Sequence, residues 1–205
     1  MKKPIILFDI DFTLVDTDKL RSLTSLALIK FLKVARKDYE TVSEKYAKGL
    51  KNYTDFNSKQ YLKCLSSEFG KNVNSLGKVF YNPKFYRQSL FTETVSVLEK
   101  LFKKEIKLGI FSEGFKNFQR KKLKNSGILK FFDRQNLFIF RRKARKSSVI
   151  ALPKNSIIVD DNLAVLEEID ELNNSKKIKL VWLNRKTKKI HKKIKTIFSL
   201  EEILE

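Results

Sequence analysis

The chain has 205 residues, of which 42% are hydrophobic and 12% aromatic, and this content excludes a disordered protein. The length provides for one good-sized core, or for a core domain that carries a smaller insertion. The net charge of +21 will attract polyanions, and the single cysteine, Cys64, excludes an internal disulfide and a thiolate zinc site. A reducing cytoplasm is therefore the compartment that we expect.

The first apolar run, residues 4–9, ends in acidic residues. Asp9 and Asp11 interrupt it too early for a signal peptide, and nowhere does the chain contain the ~18 consecutive apolar residues of a transmembrane helix. We therefore expect no membrane segment. A continuous apolar run of this length is typical of a parallel strand that is buried on both faces. The run predicts that Asp9 lies at the C-terminal end of such a strand.

The next segment contains no comparable apolar run. Its apolar residues recur with helical spacing in three stretches, at residues 20–34, 42–50 and 57–69. We predict an all-helical cap at 17–89, inserted into a core formed by 1–16 and 90–205. Four tyrosines of this cap could line a substrate pocket, but packing between helices is the preferred interpretation: Tyr53, Tyr61, Tyr81 and Tyr86.

Strand-like runs return in the last half of the chain, at residues 106–111, 136–140, 156–159 and 178–183. Segments with helical period precede the first and the last of these runs. This alternation predicts an α/β fold, a Rossmann-like parallel sheet flanked by helices. Active sites of such sheets lie beyond the C-terminal ends of the strands.

Chemistry-bearing residues follow several of the predicted strands. Asp9 and Asp11 can face one cleft and bind a divalent cation, and oxygen ligands without imidazole favour Mg²⁺ over Zn²⁺. One carboxylate can then attack phosphorus while the other exchanges protons. An Asp-X-Asp pair that only caps a turn is an equally good interpretation of these two residues alone.

Three later features add to this pair. Ser112 and Glu113 end the second predicted strand with a hydroxyl and backbone N–H groups that could hold a phosphoryl oxygen. A basic cluster that ends in Lys146 precedes the fourth strand, and Asp160 and Asp161 end that strand with a second acidic pair. Their order at successive strand ends predicts a phosphate site with a bound metal ion.

In this arrangement the sequence resembles the haloacid dehalogenase-like superfamily, whose four motifs occur here in order outside the predicted cap. The first motif is Asp9-Ile10-Asp11-Phe12-Thr13, followed by Ser112, a basic residue near Lys146, and Asp160-Asp161. The resemblance implies that Asp9 is the nucleophile and a Mg²⁺ ligand. It also implies that Asp11 is the general acid/base and offers its backbone carbonyl to the metal. Members that dehalogenate generally lack the second Asp, so its presence favours phosphate chemistry.

The sequence departs from the family pattern at two points. Phe12 stands where the family often has Gly, and Val165 stands where an acid is common, so an adjacent Asp160-Asp161 version of the fourth motif is implied. We expect Asp161 to contact the metal directly and Asp160 to assist. The third-motif residue is assigned to Lys146 because it would begin a short helix. Four nearby residues are competitors: Lys143, Lys154, Arg142 and Arg145.

Basic residues cluster at 141–146, with five in six positions, and at 185–195, with seven in eleven. Compositional bias is the simpler interpretation, and a nucleic-acid surface is the alternative. We predict Mg²⁺-dependent hydrolysis of a small organic phosphate or nucleotide. The alternatives are a nucleic-acid-binding protein without turnover, a nucleic-acid end phosphatase, and a phosphomutase or phosphotransferase.

Overall fold

The structure is a computed structural model, and it describes residues 4–173 and 177–204. Residues 1–3, 174–176 and 205 of the predicted core lie outside this part. Six parallel strands form one sheet in the order β3-β2-β1-β4-β5-β6. The strands are β1 (Ile6–Phe8), β2 (Leu108–Glu113), β3 (Leu137–Phe140), β4 (Ile157–Asp160), β5 (Lys179–Leu183) and β6 (Lys195–Ile197). The predicted parallel α/β fold is confirmed.

Nine α-helices are present in the described residues: α1 (Thr17–Leu32), α2 (Arg36–Lys48), α3 (Ser58–Phe69), α4 (Val73–Phe80), α5 (Pro83–Gln88), α6 (Thr94–Lys103), α7 (Lys116–Ser126), α8 (Lys146–Ile150) and α9 (Leu163–Leu172). Asn side chains cap several of them; for example, Asn57 Oδ1 accepts hydrogen bonds from the Lys59 and Gln60 N–H groups in the first turn of α3. None of these helices is long and apolar enough to cross a membrane.

Helices α1 to α5 occupy the interval between β1 and α6, where the sequence predicted helices. Helices α1 to α4 share a core that includes Leu28, Leu65 and Leu76, and Phe118 of α7 packs against it. Tyr61 is buried in that core, as its predicted packing role requires, whereas Tyr86 is buried in a core next to the sheet. The division at residues 17–89 into a separate cap stays a prediction.

The central strand β1 is buried on both faces, because successive side chains point to opposite sides of the sheet. Phe8 packs into one core together with Ile110 and Val159, and Leu7 packs into a second core on the opposite face. Phe8 lies level with Ile110 and Val159 in the neighbouring strands. The residues that follow these three positions therefore emerge at one edge of the sheet.

Candidate active site

A small cleft of about 70 Å³ opens at the C-terminal edge of β1, β2 and β4. Most of its lining residues follow these strands, and two come from a 3-10 turn at Tyr53–Asp55 in the helical segment. The lining residues are Asp9, Asp11, Phe12, Tyr53, Thr54, Glu113, Lys143, Asp160, Asp161, Asn162 and Val165. The cleft thus brings together the acidic residues of the first and fourth predicted motifs.

Lys143 lies between two of these carboxylates. Its ammonium group donates hydrogen bonds to Asp9 Oδ1 at 2.8 Å and to Asp160 Oδ2 at 2.5 Å, and all three side chains are buried. Burial raises the pKa of Asp9 to about 8, since it outweighs the opposing effect of Lys143 and is reinforced by Asp160. Burial alone would lower the pKa of Lys143, but Asp160 and Asp9 raise it, so the ammonium stays protonated.

Asp9, Asp160 and Asp161 form a group that could hold a metal ion, because one carboxylate oxygen from each lies within 4.8 Å of the others. Burial, together with repulsion from Asp160, raises the pKa of Asp161 to about 7. A divalent cation would relieve this crowding of negative charge, and hard oxygen ligands suit Mg²⁺. The donor set therefore fits the predicted metal.

The fourth-motif residues differ in their partners. Asp160 Oδ1 accepts a hydrogen bond from the Asn162 N–H at 3.0 Å, and its other oxygen accepts from Lys143. The Asp161 side chain has no hydrogen-bond partner within 4–173 and 177–204, while its carbonyl accepts from the Trp182 indole at 3.0 Å. Asp161 thus has the more open carboxylate, and its direct contact with the metal stays a prediction.

Asp11 is held apart from the other acids. Its carboxylate accepts hydrogen bonds from Lys122 Nζ at 2.5 and 2.8 Å, from Gln119 Nε2 at 2.9 Å and from Thr17 Oγ1 at 2.5 Å. Burial would raise the pKa of Asp11, but Lys122 and these hydrogen bonds together lower it. Its carboxylate does not belong to the three-acid group, so a metal-ligand role for Asp11 through the side chain is not favoured; the backbone role stays a prediction.

Phe12 adopts the left-handed backbone conformation, with φ of 58°. Its N–H donates to the Val15 carbonyl at 2.8 Å, which closes the turn after the first motif. Glycine adopts this conformation without steric cost, whereas a bulky residue does so at a cost of about 1–3 kcal/mol. This geometry explains why Gly suits the position, and the Phe12 ring now lines the cleft.

The assignment of Ser112 and Glu113 as phosphate ligands stays a prediction, and the two residues differ in their surroundings. The Ser112 hydroxyl is buried without a hydrogen-bond partner among the described residues, and Ser112 does not line the cleft. The Glu113 carboxylate accepts from Thr54 Oγ1 at 2.9 Å and from the Lys143 N–H at 3.0 Å. A negative side chain with these partners positions the Lys143 loop instead of attracting phosphate.

The assignment of the third motif to Lys146 is corrected by the structure. The predicted short helix is present as α8, but Lys146 is exposed at its start, whereas Lys143 extends into the cleft. Among the other competitors, Arg142 pairs with Asp55 and Glu113. Five of the six residues at 141–146 are basic, and nothing in the run itself shows which of them is buried. The third-motif residue could therefore not be identified from the sequence.

Sequence reasoning missed the residues that hold Asp11, and of the two cleft residues that the helical segment contributes it named only Tyr53, with packing as the preferred role. Gln119 and Lys122 lie on the buried face of α7, three residues apart, next to Leu123. Polar residues on the inner stripe of a helix are a readable signal of an internal partner. The packing role preferred for Tyr53 is wrong, because Tyr53 is 73% exposed and lines the cleft. No signal marked Thr54, because a short 3-10 turn has no hydrophobic period.

A sequence profile of haloacid dehalogenase-like hydrolases matches residues 6–136, which is more than half of the chain. The chain belongs to the haloacid dehalogenase-like hydrolase family. The resemblance inferred from the motifs is confirmed. No curated protein matches the chain.

Solved structures of this family share the fold of the hydrolase. A putative haloacid dehalogenase-like hydrolase from Burkholderia xenovorans has a TM-score of 0.70 at 16% identity, covering 100% of this chain and 96% of that one. The putative hydrolase YfnB from Bacillus subtilis, bound to magnesium, has a TM-score of 0.62 at 18% identity, covering 99% and 97%. A phosphatase of the family from Thermococcus onnurineus has a TM-score of 0.62 at 20% identity, covering 98% and 96%.

Other similar structures are a putative beta-phosphoglucomutase from Thermotoga maritima and an L-2-haloacid dehalogenase. These proteins have different reactions on one fold, and at such low identity the likeness establishes the fold alone. The reaction of this hydrolase must therefore be argued from its own residues.

Proposed function

We propose that this hydrolase is a Mg²⁺-dependent phosphomonoesterase that forms an aspartyl-phosphate on Asp9 and acts on a small phosphorylated substrate. The observation that carries the proposal is the group of Asp9, Lys143, Asp160 and Asp161 in one cleft. Three acids and one buried ammonium form a site that can receive both a divalent cation and a phosphoryl group.

Asp9 is the nucleophile, because it lies at the end of the central strand and faces the cleft. Its carboxylate attacks phosphorus, a P–O bond forms, and the bond to the leaving oxygen breaks. Lys143 stabilises charge on the phosphoryl oxygens, since its position beside Asp9 is fixed by Asp160. When bound, Mg²⁺ would be held by Asp9, Asp160 and Asp161 and would neutralise phosphate charge.

Asp11 exchanges the proton in both halves of the reaction. It protonates the leaving oxygen, and then accepts a proton from the water that hydrolyses the aspartyl-phosphate. Lys122 and Gln119 hold its carboxylate in the ionised form, which suits the second half directly. The first half requires that Asp11 take up a proton before the ester bond breaks.

The size of the cleft supports a small substrate. A volume of about 70 Å³ admits a phosphoryl group, and Tyr53 and Thr54 lie over it from the helical segment. Thr54 is hydrogen-bonded to Glu113, and Asp55 is paired with Arg141 and Arg142, so this segment is fastened to the core beside the cleft. A folded protein surface could not approach Asp9 in this arrangement.

The test compares Asp9→Asn and Asp11→Asn with the matched control Asp18→Asn, an exposed residue on α1 that pairs with Arg21. We expect the unaltered chain and the control to hydrolyse p-nitrophenyl phosphate with Mg²⁺ and to lose activity with a chelator. Both site variants should lose at least about 10²-fold in kcat. Full Mg²⁺-dependent activity in either site variant would overturn the assignment of roles.

A phosphotransferase or phosphomutase shares this nucleophile, and similarity to a putative beta-phosphoglucomutase is the observation that keeps it as a second candidate. Product analysis with and without a sugar phosphate acceptor separates the two. End-phosphorylated oligonucleotides belong in the same screen, because Lys143 of the basic run 141–146 lines the cleft. Arg141, Arg142 and Lys143 are engaged by carboxylates, however, which favours the small substrate.

A further inference from the structure

A second concavity lies away from the catalytic cleft, between α3, α4 and α7, with a volume of about 450 Å³. We call it the lysine groove. Four lysines line it, namely Lys59, Lys63, Lys78 and Lys121, and none of its described lining residues is acidic. It shares no lining residue with the cleft that contains Asp9.

The four lysines have no opposing charge. None of them forms an ion pair within the part of the chain that the structure describes, although ion pairs occur elsewhere on α1 and α2. Lys121 instead places its ammonium group 3.5 Å from the centre of the Tyr81 ring. Burial, together with repulsion from Lys59, lowers the pKa of Lys121. Four positive charges from three helices therefore lie close together with no carboxylate among them, which is an arrangement that can bind an anion.

The groove combines this charge with an apolar floor. Leu62 is buried beneath it, and the half-buried Tyr81 ring lines it, with its hydroxyl donating to Ser58 Oγ at 2.7 Å. Basic residues continue beyond the groove along α7, where Lys116, Arg120 and Lys124 are exposed and acidic residues are absent from the helix. Positive charge thus extends further than one small anion would need.

We infer that the lysine groove binds single-stranded nucleic acid, with its phosphates on the four lysines and one nucleotide over the apolar floor. A basic track beside an aromatic ring is the combination that single strands use. A duplex keeps its bases stacked inside and could not reach the floor. The inference is independent of the proposed phosphatase activity, because the two sites share no residue.

The experiment measures binding of the full chain to a fluorescent oligothymidylate as a function of salt. The groove variant carries Lys59→Gln, Lys63→Gln and Lys78→Gln. The matched control carries Lys100→Gln, Lys103→Gln and Lys154→Gln, which are exposed and lie outside the groove. Both variants lose three positive charges, so a general attraction to the charge of +21 predicts equal effects.

We expect the negative slope of log K against log salt to become shallower by about two in the groove variant, since each of three lost phosphate contacts on a single strand contributes about 0.7 to its magnitude. Its affinity at ~0.1 M salt should fall roughly 100-fold, while the control stays within about threefold of the unaltered chain. Circular dichroism checks that both variants are folded.

Three results would overturn the inference. One is that the control loses as much affinity as the groove variant, because the binding would then follow net charge alone. Another is that the oligonucleotide does not bind. The third is that ATP competes as strongly as the oligonucleotide at equal phosphate concentration, because a small polyphosphate would then be the ligand.

Discussion

Replacing Lys143 by Met tests the geometry of the cleft, because this substitution keeps the side-chain volume and removes the charge. Lys143 is 4% exposed and donates to Asp9 at 2.8 Å and to Asp160 at 2.5 Å. Removing one partner from a buried ion pair costs about 3–5 kcal/mol, since the remaining charge is left uncompensated. Asp9 can take up a proton near neutral pH, so we expect a loss near the lower limit, about 3 kcal/mol.

The same substitution should lower kcat by about 10²- to 10³-fold, which is the effect of removing one group that stabilises charge in a transition state. Lys146→Met is the matched control, because Lys146 is exposed three residues away and should change stability by no more than about 0.5 kcal/mol. Urea unfolding at pH 7.5 and hydrolysis of p-nitrophenyl phosphate measure the two effects. A loss below about 1 kcal/mol for Lys143→Met, or equal damage by both variants, would refute the argument.

Three further predictions concern the same cleft. Without Mg²⁺ the free energy of unfolding should fall as pH rises from about 4 to 8, because Asp9 and Asp161 keep protons in the folded chain that the unfolded chain releases, with pKa values raised to about 8 and about 7. Urea titrations with Mg²⁺ should show no such dependence on pH. A free energy of unfolding that rises over this pH range would contradict the argument that burial raises these two pKa values. Lys122→Met should raise the pKa of Asp11, so that the fall of kcat/KM with rising pH, which reports loss of the Asp11 proton needed in the first half of the reaction, shifts to higher pH; an unshifted fall would show that Lys122 does not act on this group. Tyr53→Phe should lower kcat/KM by roughly 3- to 10-fold, because Tyr53 lines the cleft and its hydroxyl would no longer hydrogen-bond to the substrate. Stability to urea should not change, because Tyr53 is 73% exposed. Unchanged kinetics would exclude this contact with the substrate.

The sheet could be predicted because its strands are short apolar runs separated by segments of helical period. The five predicted runs correspond to β1 to β5, and the position of Asp9 at the end of β1 followed from the acidic end of the first run. β6 was not predicted, because Lys195–Ile197 has three residues and follows a strongly basic run that hides any strand pattern. Short edge strands depend on their neighbour for hydrogen bonds more than on their own sequence.

The candidate site was predictable where it depended on strand ends and not where it depended on side-chain reach. Asp160 ends β4 and Asp161 follows it directly, so their meeting with Asp9 follows from the parallel arrangement. Lys143 lies in a loop after β3, and its reach across to Asp9 is set by the loop backbone and by Glu113. Local sequence patterns do not show how the loop after β3 folds, so they could not predict the contact between Lys143 and Asp9.

Basic charge was the feature that sequence alone interpreted least well. Compositional bias was the preferred interpretation of the run 141–146 and a nucleic-acid surface the alternative, yet Arg141 and Arg142 pair with Asp55, and Lys143 is buried beside Asp9. The lysine groove, by contrast, gathers residues from α3, α4 and α7 that are far apart in the chain. Lysines that come together only in the folded protein do not form a basic run in the sequence, so this groove could not be predicted from it.

The most direct test of the proposed chemistry is to trap the intermediate. The chain is mixed with a phosphomonoester that it turns over and Mg²⁺, quenched in acid within the first turnover, digested, and analysed by mass spectrometry. We predict a phosphate adduct on the peptide that contains Asp9, absent in Asp9→Asn and absent when a chelator replaces Mg²⁺. Turnover of the substrate with no adduct on this peptide, or with the adduct on another residue, would contradict the account.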